Sequence, residues 1–215
     1  CKINLGLNIV AKRSDGYHNI ETIFLPIPLT DCLELTPAHE DSFSIDGVEL
    51  DCSAQDNLVV RVLNMLRAED YDVPPVSIRL TKNIPSGAGL GGGSTDAAFM
   101  IKGLNELFHL GLTDEQMAAK VGRLGADCPV FIANQPVYAE GKGEIFTELP
   151  VALVKKEFNV KCADKEDTIT LSIPAVLENY WLVLIKPNDF ISTKEAYASV
   201  TPAPSKVSLK DIITK

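Results

Sequence analysis

The sequence predicts an α+β fold, because segments with strand and helix patterns alternate irregularly along the chain. Apolar and polar residues alternate over 2–11, which is typical of a half-buried strand. Apolar residues recur at helical spacing over 94–110. No internal repeat is visible. The 215 residues, 46% hydrophobic and 23% charged, are ordinary for one large or two small globular domains.

The remaining elements follow from the same local patterns. Pro129 disfavours helical geometry at Cys128, so Asp127 is predicted to lie where a helix gives way to a strand. Strands are also predicted at 20–26, 31–36, 76–80 and 181–185, with short strands over 137–173. A hairpin is predicted at Asp46-Gly47 and a turn at 186–189. Three helices are predicted from their caps: one capped by Asp56, one opened by a Thr113–Gln116 capping box, and one capped by Ser192 or Thr193 that runs through Tyr197.

A glycine-rich segment separates a predicted strand from a predicted helix. Five glycines fall within seven positions, 87–93, and Ser94-Thr95-Asp96 then opens the helix. Glycine lets backbone N–H groups converge on one point and tolerates positive φ angles. A helix N-terminus adds partial positive charge and unpaired donors. The segment is therefore predicted to bind an anion, most commonly phosphate.

Two familiar phosphate-binding patterns do not fit this segment. The Walker pattern requires a lysine before the terminal Ser or Thr, but Gly93 is followed directly by Ser94. A G-x-G-x-x-G does occur at Gly87, Gly89 and Gly92, yet the dinucleotide fold needs a strand after the helix. A second helical pattern follows instead, which disfavours that fold.

Charge and cysteine content limit the partners and the compartment. The net charge of −9 argues against nucleic acid or an acidic membrane surface as a partner. No apolar run approaches the roughly 18 residues of a membrane span, and no signal peptide is recognisable. Five cysteines without a C-x-x-C pair lack the spacing of metal ligands, and they predict reduced thiols and a cytoplasmic location. Because the chain starts at Cys1 rather than methionine, we expect it to be a piece of a longer protein.

Four motifs follow one another in a definite order along the chain. They are K-x-N at 2–4, R-x-D-G-Y-H at 13–18, P-x-G-x-G-x-G-G-G-S at 85–94 and L-G-A-D-x-P at 124–129. Together they resemble the GHMP kinases, the family of galacto-, homoserine, mevalonate and phosphomevalonate kinases. The resemblance covers 1–147 closely and 180–200 more loosely, and is greatest to members that act on a cytidine diphosphate-linked polyol.

The resemblance implies a two-domain fold and ATP-dependent phosphorylation of a tertiary alcohol. Residues 1–149 would form the mixed-sheet ATP-binding domain, and 150–215 part of a smaller α/β substrate domain, truncated at its C-terminus. Phosphoryl transfer depends on charge neutralisation and positioning more than on covalent chemistry. Asp127 would orient or deprotonate the hydroxyl. Lys2 would stabilise the charge of Asp127 and of the transition state.

The same resemblance assigns the ligand contacts. Ser94 or Thr95 would supply a hydroxyl to Mg²⁺, and the sequence does not choose between them. ATP is assigned to Pro85, Gly87, Gly89, Leu90, Gly91, Gly92, Gly93, Ser94 and Thr95, with Asn57, Leu58 and Lys82 around the adenine. The cytidine-linked substrate is assigned to Asn4, Tyr17, His18, Thr193 and Tyr197, with a base stacked between the two tyrosines.

The chain also departs from the family pattern, and other functions stay open. No third glycine-rich segment follows Gly143, and 153–174 is longer than the usual link between the domains. A homoserine or mevalonate type of kinase would share the loop and Asp127 but would not need the 15–18 motif. A nucleotide-binding regulator without turnover is a further alternative. We expect small-molecule ligands and a monomer or weak dimer.

Overall fold

The structure is a computed structural model that describes residues 1–49, 53–162, 165–187, 193–203, 205 and 207–213. It confirms the α+β class. The strands are β1 (Lys2–Lys12), β2 (His18–Pro26), β3 (Cys32–Pro37), β4 (Ser42–Gly47), β5 (Val76–Lys82), β6 (Val137–Glu140), β7 (Ile145–Glu148), β8 (Leu153–Cys162) and β9 (Lys165–Pro174). The helices are α1 (Leu58–Ala68), α2 (Gly92–Leu107), α3 (Asp114–Gly122), α4 (Val130–Ala133), α5 (Thr193–Ala198) and α6 (Leu209–Ile213).

The strands form two sheets and one separate hairpin. The first sheet has the order β1-β2-β6-β7 and is antiparallel throughout. The second has the order β3-β5-β4, with β3 antiparallel and β4 parallel to the central strand. Strands β8 and β9 pair only with each other among the described residues.

The main hydrophobic core joins both sheets to helices α1 to α4. It includes Phe24 of the first sheet and Leu80 of the second. Helix α2 contributes Ile101 and Leu104, which are fully buried, as the helical spacing predicts. Helix α3 begins with the predicted capping box between Thr113 and Gln116. This packing holds α2 directly behind the glycine-rich segment.

Two local predictions in the N-terminal part are wrong. Asp46-Gly47 does not form a hairpin, since β4 ends there and lies parallel to β5 instead of turning back on itself. The dipeptide favours a tight turn, but the pairing is decided by the sheet. The N-cap of α1 is Asn57, whose side chain accepts from the Val59 N–H, and not Asp56.

Two predicted strands are also absent. The chain after Asp127 enters the short helix α4 at Val130, because Pro129 suits the position before a first helical turn. The apolar segment 181–185 is coil, and Trp181 is 97% exposed. Within the described ranges no strand pairs with this segment, and an isolated strand leaves its backbone groups unpaired.

The prediction that all cysteines are reduced is wrong for one pair. Cys32 on β3 and Cys162 at the end of β8 form a disulfide, with Cα atoms 5.4 Å apart. Cys1 and Cys128 are buried free thiols, and Cys52 lies outside the described residues. The pair is separated by 130 positions in the sequence, so local cysteine spacing gives no sign of it.

Of the remaining predictions for the C-terminal part, one is confirmed and others lie partly outside the described residues. A helix does begin at Thr193, whereas Ser192 and half of the turn expected at 186–189 lie outside the described residues. The domain boundary at 149/150 stays a prediction. In the ranges given above, no helix combines the length and apolarity that crossing a membrane requires.

Replacing Leu104 by alanine tests the packing of α2. The side chain is fully buried in the core, so we expect Leu104→Ala to lower the free energy of unfolding by about 2–5 kcal/mol. Urea unfolding measures this loss. The exposed Glu106 of the same helix is the control, and Glu106→Ala should stay within about 0.5 kcal/mol of the parent. Equal losses would contradict this account of the core.

Candidate active site

The glycine-rich segment leads into α2 through left-handed backbone geometry. Gly87, Gly89 and Gly91 have φ angles of 65°, 71° and 70°, which favour glycine. Gly91 is the N-cap of α2 and supplies no side-chain cap. The first N–H groups of this 16-residue helix are therefore not capped by a side chain, as an anion site requires.

The same segment lies against the start of β1 and against α4. The Lys2 N–H donates to the carbonyl of Leu90 at 3.0 Å. A Cβ atom placed on Gly91 would lie 3.0 Å from the Phe131 ring and 3.4 Å from Cε of Lys2. These contacts leave no room for a side chain at Gly91, and they place Lys2 beside the glycine-rich segment.

Lys2 and Asp127 form an ion pair next to this segment. Nζ of Lys2 lies 3.2 Å from Oδ2 of Asp127 and donates to Oδ1 of Asn4 at 2.8 Å. The ammonium also lies 4.7 Å from the centre of the Phe24 ring. The Lys2 side chain is 6% exposed and that of Asp127 is 35% exposed. The ammonium of Lys2 is thus fixed by contacts with Asn4 and Phe24, while the carboxylate of Asp127 is partly open to solvent.

A chain of hydrogen bonds orients Asn4. Its amide donates to the Thr22 hydroxyl at 2.8 Å, and that hydroxyl donates to the carbonyl of Gly6 at 2.7 Å. Thr22 is fully buried, on the strand paired with β1. Sequence reasoning missed Thr22, because a threonine in a strand pattern has no distinguishing local signal.

The two candidate hydroxyls for Mg²⁺ have different surroundings. The hydroxyl of Thr95 donates to the carbonyl of Gly91 at 2.9 Å, so it is occupied within its own helix. Oγ of Ser94 lies 3.7 Å from the Cβ position of Gly125, close to Asp127 in the sequence. Ser94 also has a hydrogen-bond partner in the Cys128 thiol, so the choice between the two hydroxyls stays a prediction.

The residues predicted around the adenine lie beside a cavity of about 630 Å³. Asn57 lines this cavity and caps α1. Leu58 lies 3.7 Å from the Cβ position of Gly93, and Lys82 lies 3.4 Å from that of Gly92. The backbone carbonyl of Lys82 accepts from the N–H of Val48, another cavity residue. The other lining residues are Phe43, Ile45, Asp46, Gly47, Glu49, Ser53 and Ala54.

Lys82 is buried rather than free in the cavity. Its ammonium donates to Asp96 at 2.7 Å and also bonds Asp31. Burial raises the pKa of the Asp96 carboxyl to about 7, an effect that Lys82 opposes and the charge of Asp31 reinforces. Sequence reasoning identified Lys82 but missed both carboxylates, which come from distant parts of the chain.

The residues predicted at the cytidine end are partly brought together. The rings of His18 and Tyr197 have centres 5.4 Å apart, tilted by 47°. Burial raises the pKa of Tyr197, and the negative charge of Asp127 raises it further. Tyr17 is 59% exposed. The side chain of Thr193 lies outside the described residues.

Tyr17 belongs to a turn that Asp15 organises. Oδ1 of Asp15 accepts from the Tyr17 N–H at 3.1 Å, and the carboxylate pairs with Arg13 at 3.0 Å. The hydrogen bond from the Tyr17 N–H lowers the pKa of Asp15, and the contact with Arg13 lowers it further. In the R-x-D-G-Y-H motif, the first two named residues therefore fix the turn that carries the aromatic side chains of Tyr17 and His18.

Sequence reasoning missed Lys142, in the turn between β6 and β7. Its ammonium lies 4.8 Å from the centre of the Tyr17 ring. The carbonyl of Gly141 accepts from the Ile20 N–H at 2.8 Å, and the Cβ position of Gly143 lies 3.9 Å from Oδ1 of Asp127. Lys142 thus lies beside Tyr17, and the next residue, Gly143, approaches Asp127. The G-x-G spacing at 141–143 was the available signal for such a turn.

The fold and the arrangement of these residues are those expected of a small-molecule kinase with a glycine-rich loop. Residues 57–136 match the family profile described as the GHMP kinases N terminal domain. The chain is 44% identical over 212 residues to the 4-diphosphocytidyl-2-C-methyl-D-erythritol kinase of Parabacteroides distasonis, covering 99% of this chain and 69% of the relative. The chain therefore belongs to the GHMP kinase family, among the 4-diphosphocytidyl-2-C-methyl-D-erythritol kinases.

Further comparisons agree. The kinase of the same description from Bacteroides fragilis strain ATCC 25285 is 44% identical over 218 residues, covering 100% of this chain and 70% of the relative. A crystal structure of 4-(cytidine 5'-diphospho)-2C-methyl-D-erythritol kinase superposes with a TM-score of 0.59 at 35% identity. That match covers 72% of this chain but 55% of the crystallised one, so the chain spans little more than half of that protein.

Gly91→Ala tests the close approach of the loop to Lys2 and Phe131. The left-handed φ angle alone costs an alanine about 1–2 kcal/mol, and crowding of the Cβ against the Phe131 ring adds about 1–3 kcal/mol. We expect a lower free energy of unfolding in denaturant and weaker ATP binding. Gly111 has the same φ of 70° with no atom within 4 Å, so Gly111→Ala isolates the backbone cost. Equal losses for the two variants would contradict the crowding.

The buried Asp96 makes stability depend on pH. Because its pKa in the folded state lies above its ordinary value of 3.8, the folded state binds this proton more tightly. The contribution to stability is present at low pH and is lost as pH rises towards about 7. Its slope is at most about 1.4 kcal/mol per pH unit.

Urea unfolding of the parent and of Asp96→Asn between about pH 5 and pH 8 measures this effect. The variant should show a flatter profile over that interval, since it lacks the titrating carboxyl. Asp72→Asn, at an exposed position, should keep the profile of the parent. A variant at Asp96 with an unchanged slope would disprove the assignment.

Proposed function

We propose that this protein transfers the γ-phosphoryl group of ATP to the 2-hydroxyl of 4-diphosphocytidyl-2-C-methyl-D-erythritol, a step of the non-mevalonate isoprenoid pathway. The observation that carries the proposal is the Lys2–Asp127 ion pair at 3.2 Å, in contact with the glycine loop through Gly91. A phosphoryl acceptor and a phosphoryl donor can therefore meet at one place. The curated relatives of matching description support the choice of substrate.

The ion pair suits transfer to a weakly acidic hydroxyl. The outward-facing Asp127 accepts a hydrogen bond from the hydroxyl and orients it for in-line attack on the phosphorus. The ammonium of Lys2 stabilises negative charge that develops on the transferred group. Asn4 holds this ammonium in place through its bond at 2.8 Å.

The glycine loop and α2 hold the phosphates of ATP. Backbone N–H groups of residues 89–94 face the anion together with the positive end of the helix dipole. The base of ATP occupies the cavity beside Asn57, where Leu58 and Lys82 border the loop. This arrangement follows from the position of the cavity at the start of α1.

The site also suits Mg²⁺, which ATP brings as its complex. Magnesium in kinase sites takes few protein ligands and several phosphate and water oxygens. The hydroxyl of Ser94 is a suitable hard donor, and the described residues contain no cluster of three or more acidic, His or Cys side chains. When bound, the ion neutralises phosphate charge during transfer.

The cytidine end lies around His18, Tyr17 and Tyr197. The aromatic faces stack on the base, and such contacts contribute about 1–3 kcal/mol each. His18 and Tyr197 are already in contact at 5.4 Å. The ammonium of Lys142, 4.8 Å from the centre of the Tyr17 ring, balances the charge of the diphosphate that links the base to the polyol. We also propose a cytoplasmic monomer or weak dimer.

The decisive experiment measures ADP release by the full-length protein with Mg-ATP and 4-diphosphocytidyl-2-C-methyl-D-erythritol. We expect turnover that Asp127→Asn lowers about 10²–10⁴-fold, because the variant loses the carboxylate but keeps ATP binding. Asp114→Asn, at an exposed position on α3, should leave turnover unchanged.

Alternative acceptors separate this function from its rivals. Turnover with homoserine or mevalonate but not with the cytidine compound would keep the kinase fold and refute the cytidine end. ATP binding without turnover of any acceptor would instead favour a nucleotide-binding regulator.

A further inference from the structure

A single carboxylate holds the entry to the glycine loop. Oδ1 of Asp31 accepts from the N–H groups of Asn83 at 2.6 Å and Ile84 at 2.8 Å. Its other oxygen bonds the ammonium of Lys82, the last residue of β5. Three consecutive residues before the glycines are thus bonded to one side chain, which is 3% exposed.

Lys82 connects the residues before the glycine loop to the helix that follows the loop. Its ammonium donates to Asp96 at 2.7 Å, within the second turn of α2. The strand end that precedes the loop and the helix that follows it are therefore joined through Asp31, Lys82 and Asp96. All three side chains are at most 6% exposed, so solvent weakens these bonds little.

We propose that Asp31 is a positioning residue for ATP, one that sets nucleotide affinity by holding the glycine loop in its binding geometry. The inference rests on the proposed function. Asp31 is not a catalytic residue, since it acts through the backbone at 83–84 and through Lys82. Neither the glycine motif nor the Lys2–Asp127 pair includes it.

The physical reason is the flexibility of the segment. Five glycines lose more conformational freedom on ordering than any other residues would. A loop that is free at its ends would have to be ordered by the nucleotide, which lowers affinity. Bonds to both ends order the loop before ATP arrives. Loss of Asp31 should therefore weaken ATP binding more than it weakens binding of the acceptor.

The chain contains a matched control at the other end of β5. Asp41 accepts from the N–H of Val76, the first residue of that strand, at 2.9 Å. It also pairs with Arg67 through two hydrogen bonds, at 2.6 and 3.0 Å. Asp41 thus makes the same kinds of contact to the same strand, but at the end away from the loop. It is more exposed, at 46%.

The test compares Asp31→Ala, Asp31→Asn and Asp41→Ala in the full-length protein. Calorimetry gives the dissociation constant of ATP, steady-state kinetics give both KM values, and thermal unfolding reports the fold. We expect Asp31→Ala to raise the dissociation constant and the KM of ATP about tenfold, with the KM of the acceptor unchanged. Asp31→Asn should recover part of the affinity, because its amide oxygen can still accept from the N–H groups of 83 and 84.

Asp41→Ala should lower the unfolding temperature and leave ATP affinity unchanged. The proposal is overturned if Asp31→Ala binds ATP as the parent does, or if Asp41→Ala weakens ATP binding equally. Should Asp31→Ala fail to fold, the same comparison is made with Asp31→Asn, whose charge loss leaves Lys82 paired with Asp96. The dissociation constant decides the question even when the acceptor differs from the one proposed.

Discussion

The ion pair between Lys2 and Asp127 depends on three distant parts of the chain meeting beside one loop. Lys2 starts the first strand, Asp127 lies in the turn between α3 and α4, and Gly91 precedes α2. A Cβ atom at Gly91 would lie 3.4 Å from Cε of Lys2 and 3.0 Å from the Phe131 ring. A side chain there would therefore crowd the Phe131 ring beside Lys2.

Buried lysines are used twice around this loop, for different purposes. Lys2 contacts the partly exposed Asp127 and rests on Phe24, so its charge is available to a ligand. Lys82 is enclosed by Asp31 and Asp96, so its charge is largely balanced within the protein. Balanced buried charges contribute little net stability but specify which elements lie together. Lys82 thus joins the two ends of the glycine loop, and Lys2 lies beside that loop.

The C-terminal part of the chain is organised differently from the core. The β8–β9 hairpin pairs only with itself among the described residues, and the disulfide between Cys32 and Cys162 joins it to β3. The apolar segment 181–185 is exposed. By contrast, α5 brings Tyr197 to His18. The contact of this region with the proposed cytidine end therefore depends on one short helix.

The pairing of Lys2 with Asp127 was expected only from the resemblance to the GHMP kinases. The sequence by itself determined the α+β class, most element positions and the glycine loop. These depend on local periodicity, on glycine content and on motifs in a definite order, all of which are readable without coordinates. The resemblance to GHMP kinases then indicated the chemistry. The division into domains at 149/150 stays a prediction.

Only the tertiary structure decided the contacts made across long separations. Thr22 beneath Asn4, Asp31 and Asp96 around Lys82, and Lys142 beside Tyr17 have no local pattern that distinguishes them. The parallel pairing of β4 and the exposure of 181–185 contradicted local signals for the same reason. Strand pairing and burial depend on which neighbours the whole fold provides, and a segment's own residues do not specify those neighbours.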